Sequence, residues 1–330
     1  MRLVLNVDQP GILHDSATQL LVNRNLTPSA SEKVELAGAA AATPSLVWGA
    51  MPVYFVVGLV LGLSAAFLLE YMNTTIRTEY DVRRYVNLPV LGVVPMIREP
   101  GERLLIGAAL KTPLGEIFNT VGAMVETAFK DTTSRVLMVA SSNADEGKST
   151  VACNLAVALA RSGSRVLLVD CDLRKSVLHK MFSLPNETGI SSYLQGATDS
   201  IDSAIVPSEV ENLSLLPSGP HPENPVLLLR SDRFKAMVAE LREKFDFVII
   251  DSPPARIAVD TMVLAPLVDS VLLLLSASET RKDQATMAKR LIESAKGKVI
   301  GCVLNKATIH SRGYYYYYYD TYRYYDYGHK

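Results

Sequence analysis

The chain has 330 residues, enough for one large α/β domain and a smaller part. Its 33 Lys and Arg against 34 Asp and Glu leave a net charge of −1, which excludes nucleic acid as a charge-driven partner. Its 48% hydrophobic content and positive mean hydropathy exceed those of an ordinary soluble enzyme, so the apolar excess has to sit somewhere particular.

Residues 1–45 are polar, then alanine-rich, with no helical or strand period, and read as a short extracytoplasmic segment. The apolar excess lies in residues 46–69, which carry no charge and are long enough to cross a hydrocarbon layer of about 30 Å. A signal peptide would have a shorter apolar core behind a basic start, and a buried core helix would show a polar face. Trp48 and Tyr54 lie near the first end as interfacial aromatics do, and Gly58 and Gly62 form a small-xxx-small pair. Arg77, Arg83 and Arg84 follow the span, whereas the 20 residues before it carry only Lys33. The expectation is a single-pass membrane protein with its C-terminal side in the cytoplasm. Cys153, Cys171 and Cys302 have no metal-ligand spacing, so reduced, buried thiols are expected.

Residues 70–113 read as a juxtamembrane connector, with a charged helical stretch at 78–85 and a brief extended run, LPVLGVVP, at 88–95. A helix over 113–129 then leads into β-rich runs at 136–140, 166–170, 213–217, 247–251, 270–275 and 299–305. Near-continuous apolar runs alternating with helices predict strands buried on both faces. The fold class is therefore α/β, a parallel sheet flanked by helices over 114–310. Several runs end in polar or acidic residues, where open sheets of this kind bind ligands.

After the first of these strands comes ASSNADEGKST, followed by an apolar helix. Gly147, Lys148 and Ser149 match the end of the phosphate loop G-x-x-x-x-G-K-[ST], although Ser142 replaces the first glycine. Backbone N–H groups from Asn143, Ala144, Asp145, Glu146, Gly147, Lys148, Ser149 and Thr150 would cradle phosphate oxygens. Lys148 would neutralise their charge, and Ser149 would ligate Mg²⁺. VDCD places Asp170 and Asp172 at one strand end, and DSPP places Asp251 at another. Each alone could be a surface turn acid, but three beside a phosphate loop suit Mg²⁺ bridged to nucleotide phosphates. This predicts a P-loop NTPase-like sheet that binds ATP.

Ten of the last 17 residues are tyrosines: Tyr314, Tyr315, Tyr316, Tyr317, Tyr318, Tyr319, Tyr322, Tyr324, Tyr325 and Tyr327. No period of 2 or 3.6 survives the intervening Asp320, Arg323 and Asp326, so residues 311–330 read as an exposed tail. On composition alone it is either a sticky low-complexity end or a phosphoacceptor.

The set EGKST, VDCDLRK, DSPP and tyrosine-rich tail, with IRTEYDV and LPVLGVVP after the span, resembles the bacterial protein-tyrosine kinases and polysaccharide co-polymerases of exopolysaccharide and capsule biosynthesis. The likeness covers residues 46–330. It implies an ATP- and Mg²⁺-dependent autokinase acting on its own tail tyrosines, between neighbouring subunits. Lys148 and Ser149 would fall in Walker A, Asp170 and Asp172 in the extra Walker A′ motif, and Asp251 in Walker B. Lys148, Asp170, Asp172 and Asp251 would be catalytic, and Ser149, Asp170 and Asp251 would hold Mg²⁺. Asn305 matches a residue that reads adenine, with a strand-end turn Asn as the alternative. Arg174 and Lys175 would contact phosphates or a neighbour, with a solvated basic pair as the alternative.

The implied partners are copies of the chain in a ring sensitive to phosphorylation, a phosphotyrosine phosphatase, and polysaccharide export or polymerase proteins. Two departures stand out. The family's Glu-x-x-Arg-x-x-Arg oligomerisation helix keeps Glu116 but has Asn119 and Gly122 in place of its arginines. Full-length co-polymerases also carry an earlier span and a large extracytoplasmic domain, which leaves open a shortened homologue, a split gene or a truncated start. Competing readings are a membrane-anchored ATPase switch, whose early loop lysine is here Asn143, and a scaffold that no longer catalyses.

Overall fold

The structure, a computed structural model, describes residues 44–72, 74–97, 104–105, 112–129, 135–256 and 259–308. The segment expected before residue 44 and the ten tail tyrosines lie outside the described residues. The chain divides into two compact units, Met1–Glu70 and Tyr71–Lys330.

In the first unit, helix α1 (Pro44–Met72) has 29 residues and spans about 43 Å at 1.5 Å per residue. Its stretch Met51–Leu68 is long and apolar enough to cross a membrane. Phe55 is 72% and Phe67 74% exposed, an arrangement that water penalises and lipid does not.

The second unit opens on a capped helical turn, α2 (Glu79–Asp81). The Thr78 hydroxyl accepts from the Asp81 amide at 3.2 Å, and the Asp81 carboxylate accepts from the Thr78 amide at 3.0 Å, a complete capping box. The turn widens into a π-helical segment, Val82–Val86, which Asn87 ends in a left-handed conformation (φ 54°). Val82 and Val86 are buried in the core of this unit. The run read as part of a connector then becomes β1 (Val90–Pro95), paired in parallel with the last strand. Gly92 allows the close approach, because a Cβ there would collide with the Val121 side chain.

The remaining elements follow in order: α3 (Pro113–Ala128), β2 (Arg135–Ser141), α4 (Lys148–Arg161), β3 (Val166–Asp170), α5 (Leu178–Met181), α6 (Ile190–Leu194), β4 (Val206–Pro207), β5 (Leu213–Leu216), α7 (Pro225–Leu229), α8 (Asp232–Lys244), β6 (Phe247–Asp251), α9 (Asp260–Leu264), β7 (Ser270–Ser276), α10 (Lys282–Ser294) and β8 (Val299–Ala307). Among the described residues the eight strands form one sheet in the order β1-β8-β7-β2-β6-β3-β5-β4, parallel except for β4 against β5. The six strands read from the sequence all form. Helix α4 starts at Lys148, three residues before its apolar run and directly after the left-handed Gly147.

Alternation along β2 shows how the sheet is covered. Val136, Met138 and Ala140 face one layer with Phe234 and Met237 of α8 and Ala288 of α10. Leu137 and Val139 face the other layer with Phe118 and Val121 of α3 and Leu155 and Leu159 of α4. All of these are buried, so truncating one such leucine to Ala costs about 2–5 kcal/mol. Gly122 lies buried on the α3 face against α4, where a Cβ would meet Ala158 and Leu159 at 3.7 Å, while Asn119 is exposed. The two positions to which the resemblance assigns arginines are thus one surface site and one helix contact. Cys153, Cys171 and Cys302 are free and buried, as expected of reduced thiols. Burial pushes the Cys302 thiol up to about 12.

Candidate active site

The phosphate loop turns on Gly147, whose φ of 93° is one that L side chains rarely adopt, and α4 begins at the next residue. A Cβ on Gly147 would run into Asn305 Nδ2, which donates a 2.7 Å bond to the Glu146 carbonyl. The Gly147→Ala variant is therefore expected to lose about tenfold or more in ATP affinity from strain and displacement of the loop, read by titration with a fluorescent ATP analogue. An affinity within twofold of the parent would contradict that cradle.

Lys148 and Ser149, at the N-terminus of α4, meet the end of β6. Lys148 Nζ donates to Asp251 Oδ1 at 2.5 Å, and Ser149 Oγ donates to Asp251 Oδ2 at 2.6 Å. Strand pairing sets Asp170 of β3 beside Asp251 of β6. Asp170 accepts from Ser176 Oγ at 2.8 Å, from the Leu178 amide at 3.2 Å and from the Asp172 amide at 3.2 Å. Both Asp170 and Asp251 are fully buried. Burial, then the charge of Asp251, raises Asp170 to about 7. Burial also raises Asp251, with Lys148 opposing it. Asp172, 8% exposed, lines the cleft itself and accepts from the Lys175 amide at 3.0 Å.

The cleft at this sheet edge has a volume of about 670 Å³. Among the residues expected to bind nucleotide, Ala144, Asp145, Gly147, Lys148, Ser149, Thr150 and Asn305 line it. The side chains of Asn143 and Glu146 are engaged elsewhere. Asn143 donates to Glu146 Oε1 at 3.0 Å and to Gln284 Oε1 at 3.1 Å, and accepts from Arg256. Glu146 is 3% exposed, held by Thr280 Oγ1 at 2.6 Å, and burial raises its carboxyl above the usual range. Ile97, Lys180 and Lys306 also line the cleft and were not singled out in the sequence. Ile97 follows β1, so only the pairing of β1 with β8 brings it there.

These residues fit Mg²⁺ with a nucleotide. The donors are hard oxygens, Ser149 Oγ and the Asp251 and Asp170 carboxylates, and the left-handed Gly147 leaves room for a backbone cradle. Among the described residues no group of three or more His, Cys, Asp or Glu could hold a metal alone. Mg²⁺ takes one or two carboxylates and completes its shell with phosphates and water.

The parallel sheet, the phosphate loop opening α4 and the strand-end aspartates define a P-loop nucleotide-binding protein, and residues 134–284 match the family described as AAA domain. The chain is 38% identical over 203 residues to tyrosine-protein kinase YwqD of Bacillus subtilis, covering 61% of this chain and 85% of that one. It is 32% identical over 194 residues to tyrosine-protein kinase CpsD of Streptococcus agalactiae, covering 58% and 82%. The solved chimerical protein CapA2B2 superposes with a TM-score of 0.66 at 34% identity, covering 70% of this chain and 100% of that one. The chain belongs to the bacterial tyrosine-protein kinases.

Proposed function

We propose that the chain is a membrane-anchored, ATP- and Mg²⁺-dependent tyrosine autokinase of exopolysaccharide or capsule biosynthesis, acting on its C-terminal tyrosine cluster between subunits. The observation that carries this reading is the linked set Lys148, Ser149 and Asp251, with Asp170 alongside, at one end of the sheet in a member of this family. We take residues 46–69 as an inner-membrane span, 70–113 as a juxtamembrane part whose strand β1 joins the sheet, 114–310 as the kinase domain, and 311–330 as the tail.

The geometry supports the following roles. Bound Mg²⁺ would offset the charge of the phosphates, held by Ser149 and Asp251 with Asp170 beside them. Lys148 orients and neutralises the phosphate oxygens. The γ-phosphoryl passes from ATP to a tyrosine Oη with ADP leaving, and Asp170 or Asp172 takes the phenolic proton. A phenol with an ordinary pKa near 10 needs such an acceptor at neutral pH. Of the two, Asp172 lines the cleft and Asp170 is fully buried.

Incubation of the detergent-solubilised chain with ATP and Mg²⁺ should place phosphate on residues 314–327 by mass spectrometry. Phosphate release without tyrosine labelling would favour a switch ATPase, and neither would favour a scaffold. Each phosphotyrosine adds about −1.5 to −2 charges, acting over a Debye length of about 8 Å, so modified tails should repel one another. A ring of copies held by unmodified tails should therefore shrink on phosphorylation. Equal size for the fully phosphorylated protein and the variant with all ten tail tyrosines changed to Phe would refute this part.

A further inference from the structure

Asp260, the first residue of α9, is 1% exposed, and among the described residues its Oδ1 has no hydrogen-bond partner. Its Oδ2 accepts a 3.1 Å bond from Nε of Arg174, a side chain 49% exposed that lines the cleft two residues beyond Asp172. The next residue of α9, Thr261, donates to the Pro253 carbonyl at 2.6 Å, and Pro253 lines the same cleft. The first turn of α9 is thus tied at once to the loop after Asp172 and to the loop after Asp251.

The neighbouring basic residue provides a contrast. Lys175 pairs with Asp145 at 3.2 Å, but both side chains are exposed, at 72% and 81%, so the pair holds neither in place. Arg174 is anchored to a carboxylate that the core itself has fixed. A buried carboxylate held by one cation is costly to maintain, and what it confers is a defined position for that cation. Nε is taken up by Asp260, so the remaining four N–H donors of Arg174 are those of its two Nη groups.

We propose that Asp260 is a positioning residue: its buried carboxylate holds the Arg174 guanidinium at the cleft so that the Nη groups stabilise the charge that develops on the phosphoryl group in transfer. This rests on the kinase reading above. A fixed donor contributes through the transition state more than through ground-state binding, so the effect belongs in kcat.

The test is a double-mutant cycle on the detergent-solubilised full chain, with Arg174→Gln, Asp260→Asn and the double variant. Tail labelling and phosphate release from ATP are both followed, and thermal unfolding checks the fold. Asp260→Asn should lower kcat by about 10- to 100-fold with KM for ATP changed less than about threefold. The double variant should match Arg174→Gln within about twofold, because the carboxylate acts only through that arginine. The proposal is overturned if Asp260→Asn keeps kcat within about twofold of the parent, if the two losses multiply, or if Arg174→Gln, at a half-exposed side chain, leaves kcat unchanged. A parent chain that releases phosphate but never labels its tail fails the kinase reading instead, and the same cycle on phosphate release then decides the role of Asp260.

Discussion

Replacing Lys148 by Met is expected to lower tyrosine labelling by about 100- to 1,000-fold, the cost of losing one preorganised donor to transferring charge. The structure adds a second consequence. Lys148 is the cation bonded to Asp251, and its charge is what opposes the rise of that buried carboxyl. Without it, Asp251 stands beside Asp170 with only Ser149 as a side-chain donor, and the pair holds a proton more tightly. The Met variant should therefore lose Mg²⁺-dependent ATP binding at neutral pH more than loss of a phosphate contact alone would cause, with partial recovery as pH rises. Titration with a fluorescent ATP analogue at pH 6.5 and 8.5 reads this directly. A variant that labels its tail within tenfold of the parent would remove Lys148 from the chemistry.

Asp170→Asn is expected to separate activity from stability. The variant should lose labelling by about 100-fold or more if Asp170 takes the tyrosine proton. Its stability should move the other way. Asp170 is raised from 3.8 to about 7, so the folded chain binds a proton that the unfolded chain has already released between those values. Stability therefore falls as pH rises from about 4 to about 7, and above 7 the full cost of burying the carboxylate is present. Asparagine does not titrate and removes that cost. In EDTA the variant should melt several degrees above the parent at pH 8, on the scale of about 2–4 °C per kcal/mol for a domain of this size, and the gap should close toward pH 4.5. A lower melting temperature at pH 8 would show that the bonds from Ser176 and Leu178 to the charged carboxylate outweigh its burial.

Much of this arrangement is legible in the residues because its signals are local. The apolar run at 46–69 coincides with α1, and the six β-rich runs coincide with strands, because unbroken apolar stretches need burial on both faces. EGKST marks the start of α4, since Gly147 supplies a turn that other residues resist. The aspartates at 170, 172 and 251 end their strands or follow directly, as written.

What only the tertiary structure decided is who meets whom. Lys148 and Asp251 lie 103 residues apart, and no periodicity predicts a bond between them. Their meeting depends on β6 pairing with β2, the strand that feeds the phosphate loop. Asp170 comes beside Asp251 because β3 flanks β6, and burial there turns two ordinary acids into a pair with raised proton affinity. LPVLGVVP read as a brief extended run in a connector, yet pairing with β8 makes it an edge strand of the sheet and sets Ile97 in the cleft. Asp260 gave no sign at all, because an acid after Val259 resembles any surface acid until its burial and its bond to Arg174 are known. Local pattern determines which segments fold and which residues can carry chemistry; strand order, a long-range choice made by packing, determines the site they build.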